Sequence, residues 1–307
     1  MKFIRPKFWL NKNLLSYLLY PFSIITLCIN GYKKTFIKKK FSIKTICVGN
    51  INVGGTGKTS LAIKIYKILN KDFKTVFVKK KYRDQKDEIR LLKKNGNTIS
   101  EKYRINALIN AQKEKYKVAV LDDGLQQKNI SYNIKIVCFN SAEGFGNRFL
   151  LPAGPLRENI SELKKYDIAF INGEKKNSRL YSDIKSINKS IKIFEGRYKP
   201  INLHHINKKD KYFMFCGIGN PEEFENTLNR YHIKIKDKKI YPDHYKMSSH
   251  EIKKIKKISK KRSLTLITTE KDFLRLEKND REGIKFIKIS FEINKFKNFK
   301  KLLLSKI

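Results

Sequence analysis

Between an apolar run, Phe41–Val48 (FSIKTICV), and a helix-patterned stretch, TSLAIKIYKILN, the chain carries Asn52-Val53-Gly54-Gly55-Thr56-Gly57-Lys58-Thr59. A glycine-rich turn that leaves a strand and opens a helix lets backbone N–H groups converge on an anion at the positive end of that helix. It demands a strand–turn–helix unit, and so an α/β sheet. In the phosphate-binding pattern GxxxxGK[ST], the lysine reaches the β- and γ-phosphates and the hydroxyl sits on Mg2+. Those positions are Lys58 and Thr59, and Asn52 stands where the first glycine is usual. The eight residues Asn52, Val53, Gly54, Gly55, Thr56, Gly57, Lys58 and Thr59 are therefore expected to hold ATP with Mg2+.

The flanking pattern agrees. Thr75–Val78, Lys117–Leu121 (KVAVL), Lys135–Phe139 (KIVCF) and Asp167–Ile171 (DIAFI) are strand-like, and Tyr103–Lys115 is helix-like. Such alternation predicts a P-loop NTPase-like, doubly wound parallel sheet. Near Lys199–Pro200 the pattern restarts. Lys211–Cys216, Leu264–Thr268 and Ile284–Ile289 read as strands and Pro221–Arg230 as a helix, a smaller C-terminal α/β lobe. The expected organisation is 1–32, an N-terminal membrane-associated helix; 33–198, the P-loop core; and 199–307, the smaller lobe.

Three further segments carry chemistry. Leu121-Asp122-Asp123-Gly124 closes an apolar strand with two carboxylates, where an aspartate can hold Mg2+ directly or through water. Transfer to a hydroxyl needs a group that orients or deprotonates it, for which Asp87, Glu88 and His244 (in YPDHY) are the candidates. The Gly/Pro-rich stretch Gly144–Glu158 (GFGNRFLLPAGPLRE) ends in Arg157, suited to clamp a phosphate, and Glu158, suited to a metal.

From Trp9 to Ile29 the sequence is mostly apolar, with Lys12 as its only charge, and it is followed by Lys33, Lys34, Lys38, Lys39 and Lys40. A bilayer span wants about 20 apolar residues, so the run is borderline in length, to span or to lie in the interface, and Pro21 is expected to kink it near its middle. Trp9, Tyr17 and Tyr20 suit headgroup depth, and the lysines favour an anionic cytoplasmic leaflet. The run lacks a small-residue cleavage site, so it is expected to be retained. The wider balance, 69 Lys+Arg against 28 Asp+Glu for a formal +41, attracts polyanions without naming one. No zinc-finger or RNA-recognition signature accompanies it, which argues against a nucleic-acid reader. Cys28, Cys47, Cys138 and Cys216 lie far apart without ligand spacing, so neither a disulfide framework nor a zinc site is expected.

Taken together and in order, these motifs resemble the tetraacyldisaccharide 4'-kinase (lipid A 4'-kinase) family. The resemblance rests on the Trp-containing N-terminal helix with Pro21, GNINVGGTGKT at Gly49–Thr59, Asp87-Glu88 for the family's GDEP, and Asp122-Asp123-Gly124-Leu125-Gln126 for its DDGFQ. Gly144–Glu158, Gly217–Pro221 (GIGNP), Asp243-His244 and Thr269–Asp272 (TEKD) complete it. The resemblance implies that ATP phosphorylates the 4'-hydroxyl of a tetraacylated disaccharide 1-phosphate, at the cytoplasmic face of the bacterial inner membrane. The other reading is a P-loop ATPase or kinase with another small-molecule or nucleic-acid partner. By resemblance, Asp87 and His244 form an activating dyad and Lys58 acts on the ATP phosphates. Glu88, Arg104, Asp122, Asp123, Gln126, Arg157 and Glu158 line the site, with Thr59, Asp122 and Glu158 toward the metal. The chain departs from the family pattern at Lys80-Lys81-Tyr82-Arg83 (RGYG), at Gln127 (His), and around Asp87, where Asp84 is the alternative.

Overall fold

The computed structural model describes residues 6–82, 86–173, 176–243 and 245–307. Among them the strands are β1 (Lys44–Gly49), β2 (Thr75–Lys80), β3 (Thr98–Glu101), β4 (Val118–Asp122), β5 (Ile134–Asn140), β6 (Ile168–Asn172) and β7 (Lys192–Pro200), then β8 (Lys211–Cys216), β9 (Lys234–Ile240), β10 (Thr265–Thr269), β11 (Ile284–Ile287) and β12 (Ile289–Ile293). The α-helices are α1 (Leu14–Leu19), α2 (Ser23–Lys34), α3 (Lys58–Leu69), α4 (Lys86–Asn95), α5 (Arg104–Lys113), α6 (Ser178–Ile187), α7 (Pro221–Arg230), α8 (Ser249–Lys261), α9 (Glu270–Arg275) and α10 (Phe296–Leu304).

Two compact units form. The larger takes 6–82, 92–197 and Phe291–Ile307; the smaller is built on Tyr198–Ser290 with the described residues 86–91. In the larger unit the strand order is β12-β7-β6-β5-β1-β4-β2-β3, and β1 pairs in parallel with both β4 and β5. Its central strands are apolar on both faces: Ile46, Cys47 and Val48 of β1, Val76 to Val78 of β2 and Val118 to Leu121 of β4 are fully buried. A parallel sheet covered on both sides by helices requires such continuous apolar runs. In register, Val48 lies opposite Asp122, so the glycine loop and the acidic strand end leave the sheet side by side at its carboxyl edge.

The smaller unit has the order β11-β10-β8-β9, with parallel pairing throughout the registers of these strands. One expectation changes here. The expected strand Ile284–Ile289 divides at Lys288, whose N–H donates to Asn202 Oδ1 at 2.8 Å and whose carbonyl accepts from Ile201 N–H at 3.0 Å. Those bonds redirect the chain, and β12 joins the other sheet. In the larger unit the N-terminal run breaks where Pro21 is expected to kink it: a 3-10 turn, Tyr20–Phe22, separates α1 from α2 because Pro21 lacks the N–H that would continue the α ladder.

Candidate active site

The glycine loop is built from the backbone outward. Gly54 (φ 126°) and Gly57 (φ 81°) occupy the positive-φ region that side chains disfavour, and Gly57 caps α3. The first helical bond runs from Leu61 N–H to the Gly57 carbonyl at 3.1 Å, so the preceding amides of the turn lie outside the helical ladder. An antiparallel bridge joins Asn52 to Leu156 behind the loop. Val53 N–H donates to Pro155 O at 2.7 Å, and Arg157 N–H donates to Ile51 O at 2.6 Å. The segment Gly144–Glu158 is therefore the brace of the loop. Asn52 is buried, and its Nδ2 donates to the Gly144 carbonyl at 2.7 Å. Its side chain fastens loop to brace, work that a glycine could not do.

The two adjacent aspartates face different neighbours. Asp122 is fully buried; its Oδ2 accepts from Thr59 Oγ1 at 3.2 Å and from Lys79 Nζ at 2.7 Å, while its Oδ1 has no hydrogen-bond partner among the described residues. Asp123 takes a left-handed conformation (φ 59°) and turns to Arg157 Nη2 at 2.9 Å and Lys58 Nζ at 3.9 Å. Burial alone would raise the Asp123 carboxyl. Arg157 and Lys58, with Lys79 behind them, outweigh it and hold the group well below the usual carboxylate range. Arg104 donates to the Asp123 carbonyl at 2.6 Å and to Gln127 Oε1 at 3.1 Å, so Gln127 receives a guanidinium hydrogen bond at the histidine position. Arg157 Nη2 also bonds the Asn50 carbonyl and side-chain oxygen.

Asp122 and Thr59 suit Mg2+. They present hard oxygens beside a phosphate loop, and the unpartnered Oδ1 is a ready ligand position. Glu158 does not share this fit. Its Oε2 accepts from Gln126 Nε2 and Tyr166 OH, each at 3.0 Å, and its Oε1 is paired with Lys128. With both oxygens so engaged, Glu158 anchors the brace, and the expectation of a metal ligand there is set aside. Gln126, which also donates to Asn50 O at 2.8 Å, ties the same brace to the strand end before the loop.

A second cluster lies within the smaller unit. Thr269 caps α9: its Oγ1 accepts from Asp272 N–H at 3.1 Å and donates to Asp272 Oδ2 at 2.8 Å, which explains TEKD as a capping motif. Asp272 also accepts from Gly217 N–H at 3.1 Å, drawing in the GIGNP turn, and pairs with Arg275. Arg275 then reaches Asp87 Oδ2 at 2.9 Å. Lys271 Nζ lies 3.3 Å from Glu88 Oε1 and 3.8 Å from both Asp87 Oδ2 and Asp243 Oδ1. Burial would lower the Lys271 ammonium, but Glu88 and Asp243 outweigh it and its pKa is raised. Four motifs distant in sequence thus meet around two cations. His244 and the alternative base Asp84 lie outside the described residues. Sequence reasoning missed Lys79 and Arg275 and gave Lys271 no role. The spacing of Asp272 and Arg275, three apart on one helical turn, was the available signal for Arg275.

A glycine loop braced at the carboxyl edge of a parallel sheet, with a lysine and a hydroxyl on the helix and aspartates on the neighbouring strand, defines a P-loop nucleotide-binding protein. The family model described as LpxK, tetraacyldisaccharide-1-P 4'-kinase, matches residues 15–307, and the chain belongs to that family. A tetraacyldisaccharide 4'-kinase of Pelagibacter ubique (strain HTCC1062) is 47% identical over 305 residues, covering 97% of this chain and 96% of that one. One of Rickettsia bellii (strain OSU 85-389) is 33% identical over 297 residues, covering 90% of each. A crystal structure described as LpxK from Aquifex aeolicus in complex with ATP matches with a TM-score of 0.73 at 21% identity, covering 95% of this chain and 99% of that one. That likeness establishes the shared fold.

Proposed function

We propose that the protein transfers the γ-phosphoryl group of ATP to the 4'-hydroxyl of a tetraacyldisaccharide 1-phosphate, a step of lipid A synthesis, at the cytoplasmic face of the inner membrane. Family membership supports the reaction. The observation that carries the mechanism is the meeting of Lys58, Thr59, Asp122 and Asp123 beside the braced glycine loop. Loop amides and Lys58 bind the β- and γ-phosphates, and Arg157 and Arg104 hold Asp123 so that Lys58 is kept in place. Mg2+, when bound, is held by Asp122 and Thr59 and supplies neutralisation of phosphate charge. Asp87, held by Arg275 and Lys271, takes the proton of the acceptor hydroxyl, and His244 assists it by resemblance. Little covalent work falls to the protein, so positioning and charge stabilisation supply most of the rate.

The N-terminal helices support a lipid acceptor. Leu14–Lys34 is long and apolar enough to cross a membrane, yet only 11% of its apolar window is buried. Its polar side is the side turned to the protein. Ser23 Oγ donates to Leu150 O at 2.9 Å, Thr26 Oγ1 to Leu151 O at 2.8 Å and Asn30 Nδ2 to Arg157 O at 2.8 Å. Leu14, Leu18, Ile24 and Ile25 point outward and exposed. A helix fastened by its polar stripe with its apolar face outward suits burial in the interface plane better than a free span. Exposed apolar surface of this extent marks a contact site. The lysines that follow suit an anionic leaflet.

Lys58→Ala tests the reading in a transfer assay with ATP and detergent-dispersed acceptor. Transition-state stabilisation should fall by about 3–4 kcal/mol, as when one oxyanion donor is lost. Near-normal turnover in the variant would remove the glycine loop from the mechanism.

A further inference from the structure

Among the buried charges that the mechanism does not use is a lysine at the edge of the nucleotide site. Lys79, near the end of β2, is 1% exposed, and its ammonium lies 2.7 Å from Asp122 Oδ2. The register explains the meeting: Val78 lies opposite Leu121, so the next residues of the two strands, Lys79 and Asp122, leave the sheet together. Taking an ammonium out of water costs several kcal/mol and persists only against a partner of opposite charge. The pairing has a consequence for metal. Among the described residues around the loop, the carboxylates of Asp122 and Asp123 lie against Lys58, Lys79 and Arg157, Arg104 donates to the Asp123 carbonyl, and the Glu158 carboxylate beside Arg157 is matched by Lys128. Cations outnumber carboxylates there by two, a field that repels a divalent cation. A triphosphate or diphosphate reverses that balance. Asp122 Oδ1, buried and unpartnered, is then the oxygen left for the metal.

We propose that Lys79 is a resident counter-cation of the nucleotide site: it neutralises Asp122 so that a divalent ion is taken up together with nucleotide and not before it. Lys79 acts as a positioning residue, touching Asp122 and not the reacting atoms. The inference rests on the reading that Asp122 and Thr59 hold the metal.

The test measures Mn2+, an EPR-visible divalent ion, bound by the intact chain with and without ADP. The wild type should take up Mn2+ weakly alone and tightly with ADP. Lys79→Gln should bind Mn2+ without nucleotide at least about tenfold more tightly than wild type, since one unit charge at short range is removed. Lys79→Arg, which keeps the charge, should behave as wild type, and Asp122→Asn added to Lys79→Gln should abolish the gain. Circular dichroism confirms folding, and Lys79→Ser, which admits water, is read in the same way should Lys79→Gln not fold. Unchanged nucleotide-free Mn2+ affinity in the folded neutral variant overturns the proposal, as does equal wild-type affinity with and without ADP. No uptake by wild type even with ADP overturns the metal site itself, and the proposal with it.

Discussion

Neighbouring residues in this chain perform separate tasks because a strand end points successive side chains in different directions. Asp122 faces Thr59 and Lys79 inside the sheet edge, and Asp123 faces Arg157 and Lys58. Asp123→Asn should lower stability by about 1.5–3 kcal/mol at neutral pH, the range for hydrogen bonds to charged groups. The folded carboxyl is depressed, so its contribution is present above the unfolded value near ~3.9 and is lost as pH falls through the folded value. Urea unfolding at neutral pH and in strong acid checks this: the gap between wild type and variant should close only in acid. A gap that persists there would assign the loss to packing. Lys271 makes a different prediction. Lys271→Met should lower kcat by about 10–100-fold by misplacing Asp87 and Asp243, while KM for ATP stays within about twofold. Lys271→Arg should recover part of kcat. A change in KM for ATP alone would move Lys271 out of the acceptor chemistry. Asp122, Asp123 and Lys58 were legible because motif and strand context coincide. Lys79 was not, since one lysine in a run of three looks like a solvated strand end.

At the scale of elements, apolar runs revealed the buried strands and polar ones hid the edges. β4, β5 and β6 stand within a residue or so of where periodicity places them, because strands buried on both faces cannot hide their composition. β9, Lys234–Ile240 (KIKDKKI), alternates exposed and half-buried positions at a sheet edge, where lysines deter edge-to-edge pairing. Its charge reads as loop. Pro21 showed the break in the N-terminal run, but nothing in the run showed that Ser23, Thr26 and Asn30 would face inward. That inversion yields a prediction. Leu18→Asp with Ile25→Asp should release the protein from anionic vesicles in co-sedimentation while leaving ATP affinity unchanged. Each large side chain withdrawn from the lipid forfeits about 1.5–3 kcal/mol. Full vesicle retention by the double variant would place the anchor elsewhere.

For the whole molecule, the strand–helix pattern restarts near Lys199–Pro200, whereas the compact units interleave: residues 86–91 join the smaller unit and Phe291–Ile307 returns to the larger. Interleaving depends on contacts between residues far apart in the chain, which local periodicity does not record. It also explains why Asp87 and Glu88 sit with Asp243 and Lys271 when nearly two hundred residues separate α4 from α9. The +41 charge fits the proposed work on an anionic lipid at an anionic surface, and salt should weaken vesicle binding if that proposal holds. The most direct measurement supplies the intact chain with γ-labelled ATP and tetraacyldisaccharide 1-phosphate in anionic vesicles and locates the label on the product. Label is expected on the 4' oxygen of the disaccharide and is lost in Lys58→Ala. ATP hydrolysed without transfer to the lipid, or label carried to another acceptor instead, would contradict that expectation.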